Sequence, residues 1–114
     1  MSERFIGGFE QMVLLAVLQL SEADTGAYAV TIRKELEQRV GRPVSRGALY
    51  TALERLETKR QLKSHLGDPT AERGGRAKRY YRVTASGIRA LKSSKDAMVK
   101  LWHGLDSVLG KTQV

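Results

Sequence analysis

After Gln11 the stretch Gly7 to Leu20, GGFEQMVLLAVLQL, is apolar almost all round, which predicts a helix enclosed on most of its sides. A polar break, SEADTG, follows, with Thr25 in position to cap a second helix. There Tyr28, Ile32 and Leu36 recur at four-residue intervals, and the stripe closes at Gly41. GRPV reads as a turn. Ser45 then caps a third helix, RGALYTALERLETK, whose inward stripe is Leu49, Leu53 and Leu56, helped by Ala48 and Ala52.

From Gln61 the period changes to two. Leu62, Ser64 and Leu66 alternate with Lys63 and His65, and Arg79, Tyr81 and Val83 alternate with Lys78, Tyr80 and Arg82. Two short antiparallel strands are therefore expected around a long loop that carries Gly74 and Gly75 among basic residues. Thr84 is placed to cap a last helix. Its apolar positions, Ile88, Leu91, Met98, Trp102, Leu105 and Leu109, recur in steps of three and four with Lys95 among them. Unbroken, that helix reaches about 37 Å at 1.5 Å per residue. The expected fold is mainly α with a small β-hairpin: a winged helix-turn-helix over residues 1–84, and a C-terminal helix and tail over 85–114, together one compact unit.

Charge narrows the partner. Lys and Arg number 20 against 12 Asp and Glu, a formal net charge of +8, which suits a polyanion. No apolar run approaches the roughly 18 residues of a membrane span, and the first residues lack a signal-peptide pattern, so a cytoplasmic protein without a membrane partner is expected. There is no cysteine, hence no disulfide and no thiolate zinc site, and His65 and His103 have no ligand company. Neither catalytic spacing nor a Walker-type loop is present. An enzyme is not expected, nor a metal or cofactor.

With Leu49, Leu53 and Leu56 inward, Arg46, Gly47, Tyr50, Thr51 and Glu54 project outward from the third helix, where a recognition helix meets the major groove. Arg46 suits a bidentate contact to guanine, Thr51 a phosphate or thymine methyl, and Tyr50 either. Ser45 and the open amides of that helix start suit a phosphate, and Arg55 adds charge beside them. Arg73, Gly74, Gly75, Arg76, Lys78 and Arg79 make the wing a second basic contact with duplex DNA. An interaction module would favour acidic faces, yet only Glu54 and Glu57 interrupt this one. RNA binding would favour stacking aromatics on an open sheet, and only Tyr80 stands on the polar side of the hairpin.

The segments FEQMVLLAVLQL, Tyr28, SRGALYTALERLE and GGRAKRYYRVTASG together resemble the PadR-like winged-helix transcriptional regulators over most of the first ninety residues. The resemblance implies a repressor, dimeric through its C-terminal helix, on an inverted-repeat operator. A final helix without an added helical domain is similar to the compact branch of that family. The family usually has Gly where this chain has Arg60, and a left-handed Arg costs about 1 kcal/mol more than Gly. The last helix is longer than a short domain can cover, so Leu91, Met98, Leu101, Trp102, Leu105, Val108 and Leu109 are the expected homodimer contacts, bundled with the first helix. Members of the family often bind planar or hydrophobic effectors near the dimer interface, which implies Met98 and Trp102 as an effector surface.

Overall fold

A computed structural model describes residues 7–67 and 77–111. Its elements run α1 (Gly8–Glu22), α2 (Ala29–Val40), α3 (Arg46–Thr58), β1 (Leu62–Leu66), β2 (Arg79–Val83), α4 (Ala85–Trp102) and α5 (Asp106–Lys111). Val13, Leu14 and Val17 of α1 meet Ile32 and Leu36 of α2 and Leu49, Leu53 and Leu56 of α3 in one core, closed by Leu62 and Leu91. Each of these aliphatic side chains contributes about 1.5–3 kcal/mol on full burial. The stripe expected for α3 is the buried one, with Ala52 included; Ala48 is exposed, because it lies one step around the helix from Leu49 on the outward side.

The start of α2 differs from the expectation. Thr25 does not cap it: the Thr25 amide donates to Leu20 O (2.8 Å) and the Asp24 amide to Ser21 O (3.1 Å), closing α1 with Asp24 left-handed at φ 59°. Gly26 and Ala27 then serve the hairpin, since the Tyr81 amide donates to Ala27 O at 2.8 Å. Helix α2 begins only after Tyr28, where Thr31 Oγ1 accepts from the Tyr28 amide (3.0 Å) and donates to Gly26 O (2.7 Å). Its end is as expected, at Gly41 with φ 79°.

Helix α3 closes in the same way as α1. The Gln61 amide donates to Leu56 O and the Arg60 amide to Glu57 O, both at 2.9 Å, with Arg60 left-handed at φ 63°. The turn expected at Arg60 is thus made without a glycine. Thr84 Oγ1 donates to the Arg60 carbonyl at 2.7 Å and accepts from the Gly87 amide at 3.1 Å, so one hydroxyl ties the end of α3 to the start of α4.

Strands β1 and β2 pair antiparallel, with Leu62 opposite Val83, Ser64 opposite Tyr81 and Leu66 opposite Arg79. The alternation has the expected phase, but Leu66 is 60% exposed and Arg79 is exposed, because among the described residues the core reaches only the inner end of the hairpin, at Leu62 and Val83.

Helix α4 buries Gly87, Ala90, Leu91 and Ser94 against the domain. A Cβ on Gly87 would stand 2.4 Å from Gln61 O and 2.7 Å from Val83 Cγ1, so only Gly admits this approach. Gly87→Ala is expected to lower the thermal midpoint: overpacking costs about 1–3 kcal/mol against about 1 kcal/mol gained in helix propensity. Gly8→Ala, in open space at the start of α1, is the control and should leave the melt unchanged or raise it.

The expected long C-terminal helix forms but ends earlier than its apolar period. Helix α4 stops at Trp102; His103 turns out of the helix (φ −53°, ψ 128°), Gly104 is left-handed at φ 81°, and the 6-residue α5 starts afresh at Asp106. The 18 residues of α4 span about 27 Å. Leu91, expected between protomers, lies in the chain's own core. Beyond Ser94 the same stripe continues as Met98, Leu101 and Trp102, and there it is exposed.

Candidate nucleic-acid interface

The turn between α2 and α3 is held by the Val44 amide, which donates to the Glu37 carboxylate at 2.8 Å. Ser45 Oγ accepts from the Ala48 amide at 3.2 Å, so this hydroxyl caps α3. Arg46, Gly47, Tyr50, Thr51, Glu54 and Arg55 all stand exposed on the outer side of α3. Arg55 and Lys59 converge on Glu10 of α1, at 4.0 and 2.7 Å, which draws Arg55 toward the N-terminal side.

On the other flank stands the base of the wing. Glu57 of α3 accepts a hydrogen bond from the Ser64 hydroxyl of β1, and Ser64 Oγ accepts from Arg79 of β2 at 3.0 Å. This relay links α3 to both strands and gives Arg79 a structural partner. Lys78 lies over the Tyr28 ring, 4.4 Å from its centroid, with Nζ 3.4 Å from the phenol oxygen. Tyr80 packs edge-on to Tyr28 (5.5 Å, 78°) and stacks on His65 (5.7 Å, 24°), fixing the hairpin to the start of α2. Burial, with the Glu57 carboxylate beside it, raises the Tyr81 phenol above its ordinary value, so it stays a neutral hydroxyl. Between α3 and the wing base runs an open cleft of about 560 Å³, lined by Tyr28, Tyr50, Glu54, Lys78, Arg79 and Tyr81 among others.

Fold, turn and hairpin are those of a winged helix-turn-helix, and the sequence model of the transcriptional regulator PadR-like family matches residues 14–93, from α1 into α4. The chain belongs to the PadR-like family. It is a transcriptional regulator, a role that implies DNA binding, and the family is not one of enzymes. A PadR family transcriptional regulator from Eggerthella lenta is 28% identical, with 87% of this chain and 84% of that one covered at a TM-score of 0.62. A PadR-like transcription factor from Bacteroides fragilis is similar in fold at 24% identity, 90% coverage of each chain and a TM-score of 0.71. A PadR-like regulator from Bacillus cereus shares the fold at 20% identity, covering 90% of this chain and 92% of that one, with a TM-score of 0.69. Comparison with curated proteins gives no match.

In this PadR-like chain, Ser45, Arg46, Gly47, Tyr50 and Thr51 are all exposed on α3. Tyr50 shares the cleft with Lys78 and Arg79, whereas Gly47 and Thr51 border a separate hollow toward the start of α1, with Arg55. Arg73, Gly74, Gly75 and Arg76 lie outside the described residues. Met98, Leu101, Trp102, Leu105 and Val108 are exposed, and Leu109 is half-buried. Met98 lines an apolar hollow with Leu15, Leu18, Ile88 and Leu91; Trp102 stands one turn beyond it. Sequence reasoning placed Tyr28 in the core stripe, and its spacing to Ile32 gave no sign of the place it takes beside Lys78. The Glu57–Ser64–Arg79 relay was equally hidden, since no local pattern joins those positions. Among the described residues no group of His, Cys, Asp and Glu could hold a metal ion, and no helix is long and apolar enough to cross a membrane.

Proposed function

We propose that this PadR-like regulator is a homodimeric repressor of the cytoplasm that binds an inverted-repeat operator in double-stranded DNA, reading bases with α3 and gripping the backbone with the wing. The observation that carries the reading is the exposed side of α3, from Arg46 to Thr51, open beside Lys78 on a chain of net charge +8. Residues 1–84 act as the DNA-binding unit and 85–114 as the dimerisation element, supported by the α4 stripe that runs from buried Leu91 to exposed Met98, Leu101 and Trp102. Leu105, just before α5, and Val108 and Leu109 within it complete the proposed contacts. The hollow beside Met98 is where a planar or hydrophobic effector would enter, with Trp102 at its margin. Repression rests on the resemblance of the sequence to regulators that are usually repressors.

Mobility shifts on selected operator and random duplex test the division of labour. Arg46→Ala and Tyr50→Ala are expected to lower discrimination between the two, whereas Arg76→Ala weakens both about equally. Affinity should fall with salt by about 0.9 in log–log slope for each phosphate contacted. A flat salt response, or helix variants that discriminate as well as the parent, would sink the proposal.

A further inference from the structure

The outer side of α3 carries a group at odds with phosphate. Glu54 is exposed, borders the cleft toward the wing, and has no hydrogen-bond or ion-pair partner among the described residues. The other carboxylate of this helix, Glu57, is bound to Ser64. No cation stands at helical spacing from Glu54: its neighbours three and four positions away are Thr51, Glu57, Tyr50 and Thr58. Arg55, next in sequence, turns to Glu10. A carboxylate without a partner among the described residues, on a basic face, opposes every phosphate brought near it, and a hydrogen-bond donor on the partner would offset that repulsion.

An ionised carboxylate can only accept hydrogen bonds. Guanine and thymine show acceptors in the major groove, while cytosine shows the N4 amino group and adenine the N6 amino group beside the N7 acceptor. At adenine the second carboxylate oxygen faces the N7 lone pair of the same ring; on the cytosine ring the donor's neighbour is C5–H, and the competing acceptor, guanine O6, lies across the pair. Tyr50, one turn earlier on the same side of α3, is 51% exposed and marks the same line of approach.

We infer that Glu54 is a specificity-determining residue that accepts a hydrogen bond from the N4 amino group of one cytosine in each half-site. The inference rests on α3 being the base-reading helix. It also gives Glu54 a second effect, the weakening of sequence-independent binding, because the same charge repels the backbone wherever no cytosine answers it.

Selection from random duplexes by the full-length chain and its Glu54→Gln and Glu54→Ala variants tests this. The parent chain should favour cytosine at one position per half-site by roughly tenfold. Glu54→Ala should lose that preference alone and bind random duplex more tightly. Glu54→Gln should move the preference to adenine, whose N6 and N7 a carboxamide matches in pairs. Because Glu54 is exposed, both variants should melt with the parent. If all three proteins select the same sequence and differ only in overall affinity, Glu54 is a repelling charge and not a reader, and the inference falls while the proposed function stands. If the parent selects no sequence at all, the proposed function fails and takes the inference with it.

Discussion

Leu101→Glu is expected to convert the proposed dimer to monomer and to abolish tight binding to an inverted repeat, with weak binding to random duplex retained. Leu101 is 73% exposed on the single chain, so a carboxylate there leaves the fold of the protomer alone. In the proposed dimer the same position is covered, and burying an unpaired charge costs several kcal/mol. Since about 1.4 kcal/mol is tenfold in an equilibrium constant, association should weaken by a factor on the order of a thousand. Two half-sites about one helical turn apart are then no longer read together. Sedimentation should report the monomer, and circular dichroism should report unchanged helical content. A variant that sediments as a dimer with operator affinity intact would show that this stripe is not the interface.

Leu53→Ala is expected to have the largest effect on stability. Leu53 is 1% exposed at the centre of the three-helix core, facing α1 from the middle of α3. Removing its isobutyl group leaves a cavity among side chains that cannot follow it, at a cost of about 2–5 kcal/mol. Domains of this kind hold only about 5–15 kcal/mol in total, so the urea midpoint should drop by a large fraction of its value. Tyr50 and Glu54 flank Leu53 on the outward side, so loosening its packing also loosens the reading surface. DNA binding should decline in step with the folded fraction on warming. An unchanged midpoint would mean that the core closes elsewhere.

The candidate interface was partly legible. Arg46, Gly47, Tyr50 and Thr51 are exposed because the stripe of Leu49, Leu53 and Leu56 commits the opposite side of α3 to the core, and helical geometry settles the rest. The sequence shows the charge of Arg79 but not its partner; Ser64, which accepts from Arg79 and donates to Glu57, is brought there by the strand register. The expected final helix followed the apolar period across Gly104, and it is there that the left-handed backbone ends it.

By itself the sequence determined the order of the elements as far as α4, the inward stripes of Ile32 and Leu36 in α2 and of Leu49, Leu53 and Leu56 in α3, and the caps at Ser45 and Thr84. All of these follow from interactions between residues a few positions apart, where spacing and side-chain chemistry are enough. Tertiary structure decided that Gly26 and Ala27 serve β2 rather than open α2, that Leu66 is exposed, and that Leu91 is buried while Leu101 on the same stripe is not. Identical apolar residues on one helix meet different fates because burial depends on where the rest of the body ends, and that boundary is set by contacts between distant parts of the chain.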